Sequence, residues 1–338
     1  MKVSEFDFNL PEALIAQHPS QKRDHSRLMV VNRKNEEISH QHFYNIVDHL
    51  SDNDVLILNN TKVYPARLLG EKKSTGGAVE VLLLKELEKD TWEALTKPAR
   101  RIRIGTVITF GNLLEATCIG IKEEGIRIFK MAYKGIFIEV LEALGTMPLP
   151  PYIHEQLLEQ DRYQTVYAKD FGSAAAPTAG LHFTKELLEK IKDKGVEIID
   201  VTLNVGLGTF RPVKVDDIKD HHMHKETYTI TEEAAMKLNE AKQKNKRLIC
   251  VGTTSLRTVE SNYDTKFHAG TFDTSIFIYP GYQFKVCDAL ITNFHLPKST
   301  LLMLVSAISS MSLMKKAYQE AIEQKYRFFS FGDSMFIK

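Results

Sequence analysis

Three short segments combine small residues with hydroxyl or cationic side chains, a composition that suits a ligand-binding loop. Residues 172–184 read GSAAAPTAGLHFT, residues 202–212 read TLNVGLGTFRP, and residues 251–257 read VGTTSLR. Small side chains let a ligand approach the backbone, and a helix that begins after such a loop offers N–H groups to an anion. We expect these loops to bind a polar ligand, although each alone also fits an ordinary turn or helix cap.

Two segments contain groups that can exchange a proton near neutral pH. His182 lies in the first of the three loops, and a separate segment, residues 221–226, reads HHMHKE, which adds His224 and Glu226 as candidates for an acid or a base. The histidine run lacks the H-E-x-x-H spacing and has no distant third ligand, so we do not expect a metal site. An exposed loop and a packed histidine are the alternatives.

Three further segments suit components of a nucleic acid. Residues 291–300 read ITNFHLPKST and residues 328–335 read FFSFGDSM, so Asn293 and His295 stand among aromatic residues, as in a nucleobase pocket or in an ordinary satisfied core. Residues 97–103 read KPARRIR and could hold an RNA backbone, although a solvated charged hairpin is the alternative. The cations of this run are Lys97, Arg100, Arg101 and Arg103.

Composition excludes several classes of protein. The chain has 338 residues, with 44 Lys and Arg against 43 Asp and Glu, so RNA would have to be bound by a local patch. Cys118, Cys250 and Cys287 form no CxxC pattern, which argues against a disulfide framework, a zinc site and an iron–sulfur cluster. No signal-peptide core or membrane span is evident, and we expect a cytoplasmic protein without a membrane partner.

The elements that must position these segments change character along the chain. From residue 67 to 152 the sequence predicts short strands between glycine turns, as in a small β-barrel, followed by a proline-rich linker. From residue 163 strands alternate with helices capped by Thr184 and Thr231, which predicts a layered α/β domain with a mostly parallel sheet. We therefore predict a large α/β domain of residues 1–66 and 153–338 with an inserted β-barrel of residues 67–152.

Taken together and in this order, the segments resemble the S-adenosylmethionine:tRNA ribosyltransferase-isomerase family. Similar runs extend from residue 5 to residue 335 and include FDFNLPEALIAQHP, VLILNNTKVYPARL, GSAAAPTAGLHFT, ITNFHLPKSTLLMLVSA and YRFFSFGDSM. The resemblance implies transfer and isomerisation of the ribosyl group of S-adenosylmethionine onto 7-aminomethyl-7-deazaguanine at the tRNA wobble position. Epoxyqueuosine would form, and adenine and methionine would leave. The resemblance implies no metal and no cofactor, since S-adenosylmethionine is consumed.

For this reaction we predict that loops 178–183, 206–211 and 252–257 form the site and that the protein is a monomer. The acid and base candidates are His182, His224 and Glu226, and the barrel cations of residues 97–103 would contact tRNA. The predicted substrate contacts are Thr178, Gly180, Phe183, Gly206, Gly208, Thr209, Arg211, Gly252, Thr253, Thr254, Ser255, Arg257, Asn293 and His295.

One position departs from the family pattern, and two other functions compete. Asn204 stands where family members usually have histidine, and an amide cannot take a proton as imidazole does, so either the base lies elsewhere, which we favour, or the activity of this protein is altered. A tRNA-binding protein without catalysis would bind RNA but release no adenine. A methyltransferase would produce S-adenosylhomocysteine, and the absence of its usual glycine fingerprint argues against it.

Overall fold

The computed structural model describes residues 1–155, 157–206 and 213–338. In chain order the strands of these ranges are β1 (Arg27–Val31), β2 (Ile38–His42), β3 (Asp54–Asn59), β4 (Thr61–Val63), β5 (Arg67–Lys72), β6 (Ala78–Glu88), β7 (Thr91–Lys97), β8 (Val107–Phe110), β9 (Leu114–Ile121), β10 (Arg127–Tyr133), β11 (Gly145–Thr146), β12 (Asp170–Ser173), β13 (Glu197–Leu203), β14 (Glu226–Ile230), β15 (Arg247–Val251), β16 (Gly270–Thr274), β17 (Ala289–Asn293) and β18 (Ser334–Ile337). The α-helices are α1 (Phe137–Leu144), α2 (Lys185–Asp193), α3 (Glu232–Gln243), α4 (Gly252–Asn262), α5 (Thr300–Ile308) and α6 (Met311–Glu323).

Side-chain caps fix where four of these helices begin. Thr184, Thr231, Ser299 and Ser310 each accept a hydrogen bond of 3.1 Å from a backbone N–H in the first turn of α2, α3, α5 and α6. These bonds satisfy donors that have no partner within the helix. The predicted caps at Thr184 and Thr231 are confirmed.

The large sheet is mixed rather than mostly parallel. Within the described residues its order is β16-β14-β13-β3-β15-β17-β18-β1-β2. The neighbours β13, β3, β15 and β17 run parallel, but β14, β16, β18 and β2 each pair antiparallel with a neighbour. The predicted parallel majority is therefore wrong. One reason is that the connection from Val31 to Ile38 is too short for the crossover that parallel neighbours need.

The inserted sheet closes on itself. Strands β5-β6-β7-β10-β9-β8 follow one another, β8 pairs back onto the end of β5, and the short strand β11 pairs with the start of β5. Alternate residues of β9 point inward, so Leu114, Ala116 and Cys118 pack with Trp92 and Phe129 in the barrel core. The predicted β-barrel is confirmed, and the exact limits given above for the inserted domain stay a prediction.

Both faces of the large sheet are covered. In β3, Val55 and Ile57 belong to one apolar cluster, while Leu56 and Leu58 belong to the cluster on the other face. The predicted α/β fold class is therefore confirmed. In the part of the chain that the structure describes, the longest α-helix has 13 residues, and none is long and apolar enough to cross a bilayer.

The parallel strands end together. Asn59, Leu203, Val251 and Asn293 are the last residues of β3, β13, β15 and β17, and these four strands are neighbours with one direction. The loops that follow them must therefore meet at one edge of the sheet. This carboxyl edge is where open α/β sheets bind ligands.

Candidate active site

An open cleft with a cavity volume of about 90 Å³ lies at the carboxyl edge of the parallel strands. Its walls include the end of β17, the start of α4 and the 3-10 helix Thr178–His182. Several residues predicted to contact a substrate line this cleft. They are Thr178, Gly252, Thr253, Thr254, Asn293 and His295. The structure thus brings together three segments, each of which is more than thirty residues from the other two along the chain.

The amide of Asn293 is held in one orientation by three hydrogen bonds. Its Nδ2 donates to the carbonyl of Phe329 at 3.1 Å and to Nε2 of His182 at 3.1 Å, while its Oδ1 accepts from Thr178 Oγ1 at 3.3 Å. Because an amide nitrogen only donates, Nε2 of His182 is the acceptor and the ring proton is on Nδ1. Nδ1 then donates to Ser26 Oγ at 2.7 Å.

Two buried histidines flank this amide and are neutral at neutral pH. Burial is the main cause, and the positive charges of Arg327 and Arg23 the smaller one, of a His182 pKa lowered to about 3. Burial also lowers the pKa of His295 to about 3, and its Nε2 lies 2.8 Å from Thr292 Oγ1. The geometry makes His182 a bridge between Ser26 and Asn293. Its acid or base role stays a prediction.

A buried ion pair lies beside the cleft. Arg257 of α4 and Glu226 of β14 are almost completely buried, and Arg257 Nη1 contacts Glu226 Oε2. Glu226 Oε1 also accepts a hydrogen bond of 3.4 Å from the backbone N–H of Gly206, whose neighbour Val205 lines the cleft. The guanidinium nitrogens Nε and Nη2 of Arg257 have no hydrogen-bond partner among the described residues. The predicted residues Glu226, Arg257 and Gly206 are therefore adjacent.

The chain turns sharply from β15 into α4. Gly252 has a φ of +85°, the left-handed region that favours glycine. A Cβ at Gly252 would lie 3.5 Å from Thr254 Oγ1 and 3.6 Å from the Cβ of Ala179, which are ordinary contacts. The backbone conformation, rather than lack of space, therefore requires glycine at this position. The turn brings Thr253 and Thr254 to the cleft.

Other predicted contacts do not line this cleft. A Cβ at Gly180 would lie 2.0 Å from Tyr167 Oη, so packing alone explains the glycine. Phe183 is fully buried against Phe43, with ring centroids 4.8 Å apart, and Ser255 Oγ donates to the backbone carbonyl of Val251 just before α4. The predicted contacts Gly208, Thr209 and Arg211 lie outside the described residues. All of these contacts stay predictions.

The histidine run is a surface segment. His224 is exposed, whereas Glu226, two residues later, is buried in β14. Across residues 1–155, 157–206 and 213–338, no three His, Cys, Asp or Glu side chains are grouped so as to hold a metal ion. Among residues 221–226, therefore, only Glu226 is placed beside the cleft.

Asn204 lies just beyond β13 and has a polar partner of its own. Its Oδ1 accepts a hydrogen bond of 2.9 Å from Thr61 Oγ1. A Cβ at Gly172 would come within 2.5–2.7 Å of the Asn204 amide, so this side chain fills the space that the glycine leaves. Asn204 is not among the residues that line the cleft. Its neighbourhood therefore gives it a packing role and a hydrogen-bonding role.

The barrel cations form a separate exposed group. They are held on a short turn, the 3-10 helix Ala99–Arg101, whose Ala99 carbonyl accepts from the buried Arg127 at 2.7 Å. The carbonyl of Ile102 accepts from the same guanidinium at 2.9 Å. None of the predicted tRNA contacts pairs with an acidic side chain of a described residue, and all four side chains are exposed. These contacts are Lys97, Arg100, Arg101 and Arg103.

Several residues of the cleft were not predicted. Tyr152 packs on Phe329 with ring centroids 4.7 Å apart, and its hydroxyl lies 2.6 Å from Ser330 Oγ. Phe329 has a φ of +72°, which is rare for an aromatic residue and marks local strain at the cleft. The aromatic run at residues 328–335 was a signal for Phe329 and Ser330. For Tyr152 the only signal was the proline run before it.

Known proteins match this chain over nearly its full length. A family model described as queuosine biosynthesis protein matches residues 3–337. A crystal structure described as S-adenosylmethionine tRNA ribosyltransferase from Thermotoga maritima is 38% identical and has a TM-score of 0.57. The match covers 99% of this chain and 100% of that chain. The resemblance predicted from the sequence is thereby confirmed, and the chain belongs to the family of queuosine biosynthesis proteins.

Proposed function

We propose that this protein transfers and isomerises the ribosyl group of S-adenosylmethionine onto 7-aminomethyl-7-deazaguanine at the wobble position of tRNA. The products are epoxyqueuosine in tRNA, adenine and methionine. The broader class, a transferase that depends on S-adenosylmethionine, is confirmed by the family and by the solved relative. The observation that carries the finer proposal is the cleft, where loops from distant parts of the chain meet at the carboxyl edge.

The walls of the cleft suit a nucleoside. Tyr152, Phe294 and Phe329 supply aromatic faces, and Asn293 and Thr178 supply oriented polar groups between them. Aromatic faces stack on bases and attract a sulfonium cation. A cleft with this lining can hold an adenosyl sulfonium while a second base approaches from the open side.

The reaction makes three demands on such a site. A base must remove a proton from the 5′ carbon, which the sulfonium acidifies. Adenine must leave with a proton as the bond from the anomeric carbon to its nitrogen breaks, and the amine of the deazaguanine must form the new bond to that carbon. Methionine must leave in the course of the isomerisation as the bond from the 5′ carbon to sulfur breaks and the electron pair goes to sulfur, so the first, second and third demands are proton removal, controlled departure of both leaving groups and positioning of the amine. His182, His224 and Glu226 stay the candidates for the proton transfers. The proposal requires no resident cofactor, since the sulfonium substrate is consumed, and it places the reaction in the cytoplasm.

Adenine release tests the proposal directly. The protein is incubated with S-adenosylmethionine and tRNA that carries the aminomethyl-deazaguanine, and adenine, methionine and epoxyqueuosine are measured by mass spectrometry. The matched control is the same tRNA with unmodified guanine, which should release no adenine. Binding of tRNA without adenine would favour the non-catalytic alternative, and S-adenosylhomocysteine as the product would indicate a methyltransferase.

A further inference from the structure

The first turn of α4 faces the cleft. Gly252, Thr253 and Thr254 all line it, and they begin a helix of 11 residues. We propose that this turn binds the carboxylate of the methionyl part of S-adenosylmethionine. This inference rests on the proposed function, because it states which part of that substrate the turn holds. The aromatic residues of the same cleft would then hold the nucleoside part.

The turn has backbone donors that the helix itself cannot satisfy. The first N–H groups of an α-helix lack a carbonyl four residues earlier, and Val251, which precedes α4, gives no side-chain cap. The hydroxyl of Ser255 donates to the Val251 carbonyl at 2.8 Å and so is not used as a cap. A carboxylate supplies both acceptor oxygens and the negative charge that the positive end of the helix dipole favours.

A buried hydroxyl at this turn lacks a partner. Thr254 is 7% exposed, and its Oγ1 forms no hydrogen bond with any described residue, although Thr254 lines the cleft. Burying a hydroxyl without a partner is unfavourable, so the group needs a partner that binding can supply. Thr258 lies one turn later in the same helix, and its hydroxyl donates to the Thr254 carbonyl at 3.0 Å. Thr258 is therefore the matched control.

Arg257 adds positive charge next to the turn. It is 3% exposed, and its Nε and Nη2 have no hydrogen-bond partner in the described part of the chain, while Nη1 contacts Glu226. Helical side chains lean toward the N-terminus, so we infer that the guanidinium lies near the first turn, behind the part of the cleft wall that Thr253 and Thr254 line. Unsatisfied donors of a buried guanidinium and a free helix end both favour an anion.

The anion is better explained as a carboxylate than as a phosphate of the tRNA backbone. Phe294, Leu296, Leu301 and Phe329 form apolar walls, and no Lys or Arg of the described residues lines the cleft. A polynucleotide backbone is normally bound along a track of exposed cations. A small ligand with a single carboxylate needs only one positively polarised group, and the N-terminal end of α4 supplies one in a cleft without charged walls.

Steady-state kinetics of adenine release can separate the carboxylate from the rest of the ligand. The KM for S-adenosylmethionine and the Ki of decarboxylated S-adenosylmethionine are measured for the wild type, Thr254→Val and Thr258→Val. In Thr254→Val the KM should rise about tenfold, while the Ki of the compound without a carboxylate should change less than about twofold. In Thr258→Val both constants should stay at the wild-type values, since that hydroxyl faces the helix backbone.

Each contrary result overturns the inference in a recognisable way. An unchanged KM in Thr254→Val, or an equal rise in KM and Ki, would show that the turn does not hold the carboxylate. A rise confined to the KM for tRNA would assign the turn to a phosphate. If Thr254→Val does not fold, the wild type alone decides, because equal affinities for the two compounds contradict a carboxylate site. Absence of adenine release by the wild type would instead overturn the proposed function.

Discussion

The cleft and the cationic turn of the barrel are both polar, yet they are built differently. In the cleft, Asn293 has every polar atom bonded to a neighbour, and His182 behind it is 4% exposed. On the barrel, Arg100 and Arg101 are exposed and pair with no acidic side chain among the described residues. Buried polar groups must find partners, and this requirement fixes a single geometry, whereas exposed cations are free to bind a ligand. The comparison predicts coupled effects in the cleft and additive effects on the barrel.

The largest effect on stability is expected where charge is buried beside the cleft. Arg257→Met should lower the free energy of unfolding by about 3–5 kcal/mol, because it leaves the Glu226 carboxylate buried without its cation. Urea denaturation measures this change. The double variant Glu226→Gln/Arg257→Met should recover most of the loss. If the double variant loses as much unfolding free energy as the two single variants together, the two residues are not energetically coupled. The predicted contrast between the cleft and the barrel would then not hold for this pair.

A smaller loss of stability and a complete loss of turnover are expected at His182. His182→Ala should abolish adenine release and cost about 1–3 kcal/mol of unfolding free energy, because Asn293 Nδ2 and Ser26 Oγ lose a buried partner. His182→Gln keeps an acceptor for Asn293. Partial recovery of turnover in His182→Gln would assign His182 a positioning role, while no recovery would favour proton transfer by the ring. Near-normal turnover in His182→Ala would remove it from the site.

The two buried histidines also predict how stability depends on pH. Both have pKa values lowered to about 3 in the folded protein, against 6.5 in the unfolded chain. Between these two pKa values the unfolded state binds more protons than the folded state. The free energy of unfolding is therefore highest, as far as these histidines are concerned, above pH 6.5. It falls as the pH drops, by up to about 1.4 kcal/mol per pH unit for each histidine. Urea denaturation between pH 7 and pH 4.5 measures the slope.

One replacement isolates the contribution of a single histidine to that slope. His295→Gln removes one of the two titrating groups, so the unfolding free energy should depend on pH less steeply than in the wild type. His222→Gln is the matched control, because His222 is exposed and its replacement should leave the slope unchanged. Equal slopes for the wild type and His295→Gln would mean that His295 is not held neutral by burial.

Local sequence signals predicted where helices begin. The contacts of the site depend on long-range packing, which the sequence alone does not show. Thr184 and Thr231 act through the N–H groups of the next turn, so the sequence alone identifies them as caps. The pairing of Glu226 with Arg257 depends on how β14 and α4 are placed against β13, which no local pattern records. The φ of Phe329 likewise has no sequence signal, because the surrounding contacts impose it.

The loop around residue 180 shows why a predicted site contained residues that do not line the cleft. Residues 178–182 form a 3-10 helix, and successive side chains of such a helix point about 120° apart. Thr178 and Ala179 therefore line the cleft, whereas Gly180 packs on Tyr167. A run of suitable residues identifies the segment, but the local helix type selects which members face the ligand.

The smallest effect on stability is expected at the barrel cations, where the effect on binding is the useful measurement. Arg100→Gln/Arg101→Gln should leave the melting temperature and the KM for S-adenosylmethionine unchanged, because both side chains are exposed. The dependence of log affinity for tRNA on log salt concentration should become less steep by about 0.7 for each phosphate that the protein no longer neutralises. Lys73→Gln/Lys122→Gln is the matched control, since these barrel cations already pair with Glu115 and Glu93.

Arg127 makes this measurement informative. It holds the turn through the carbonyls of Ala99 and Ile102, so Arg100 and Arg101 are presented by a fixed backbone rather than by a loose loop. Preorganised cations lose little freedom on binding, and their removal should change the salt dependence without changing the fold. If the variant and the control give the same salt dependence as the wild type, tRNA binds another surface. The barrel would then contribute packing alone, and the contrast between a buried coupled site and an exposed binding surface would not hold.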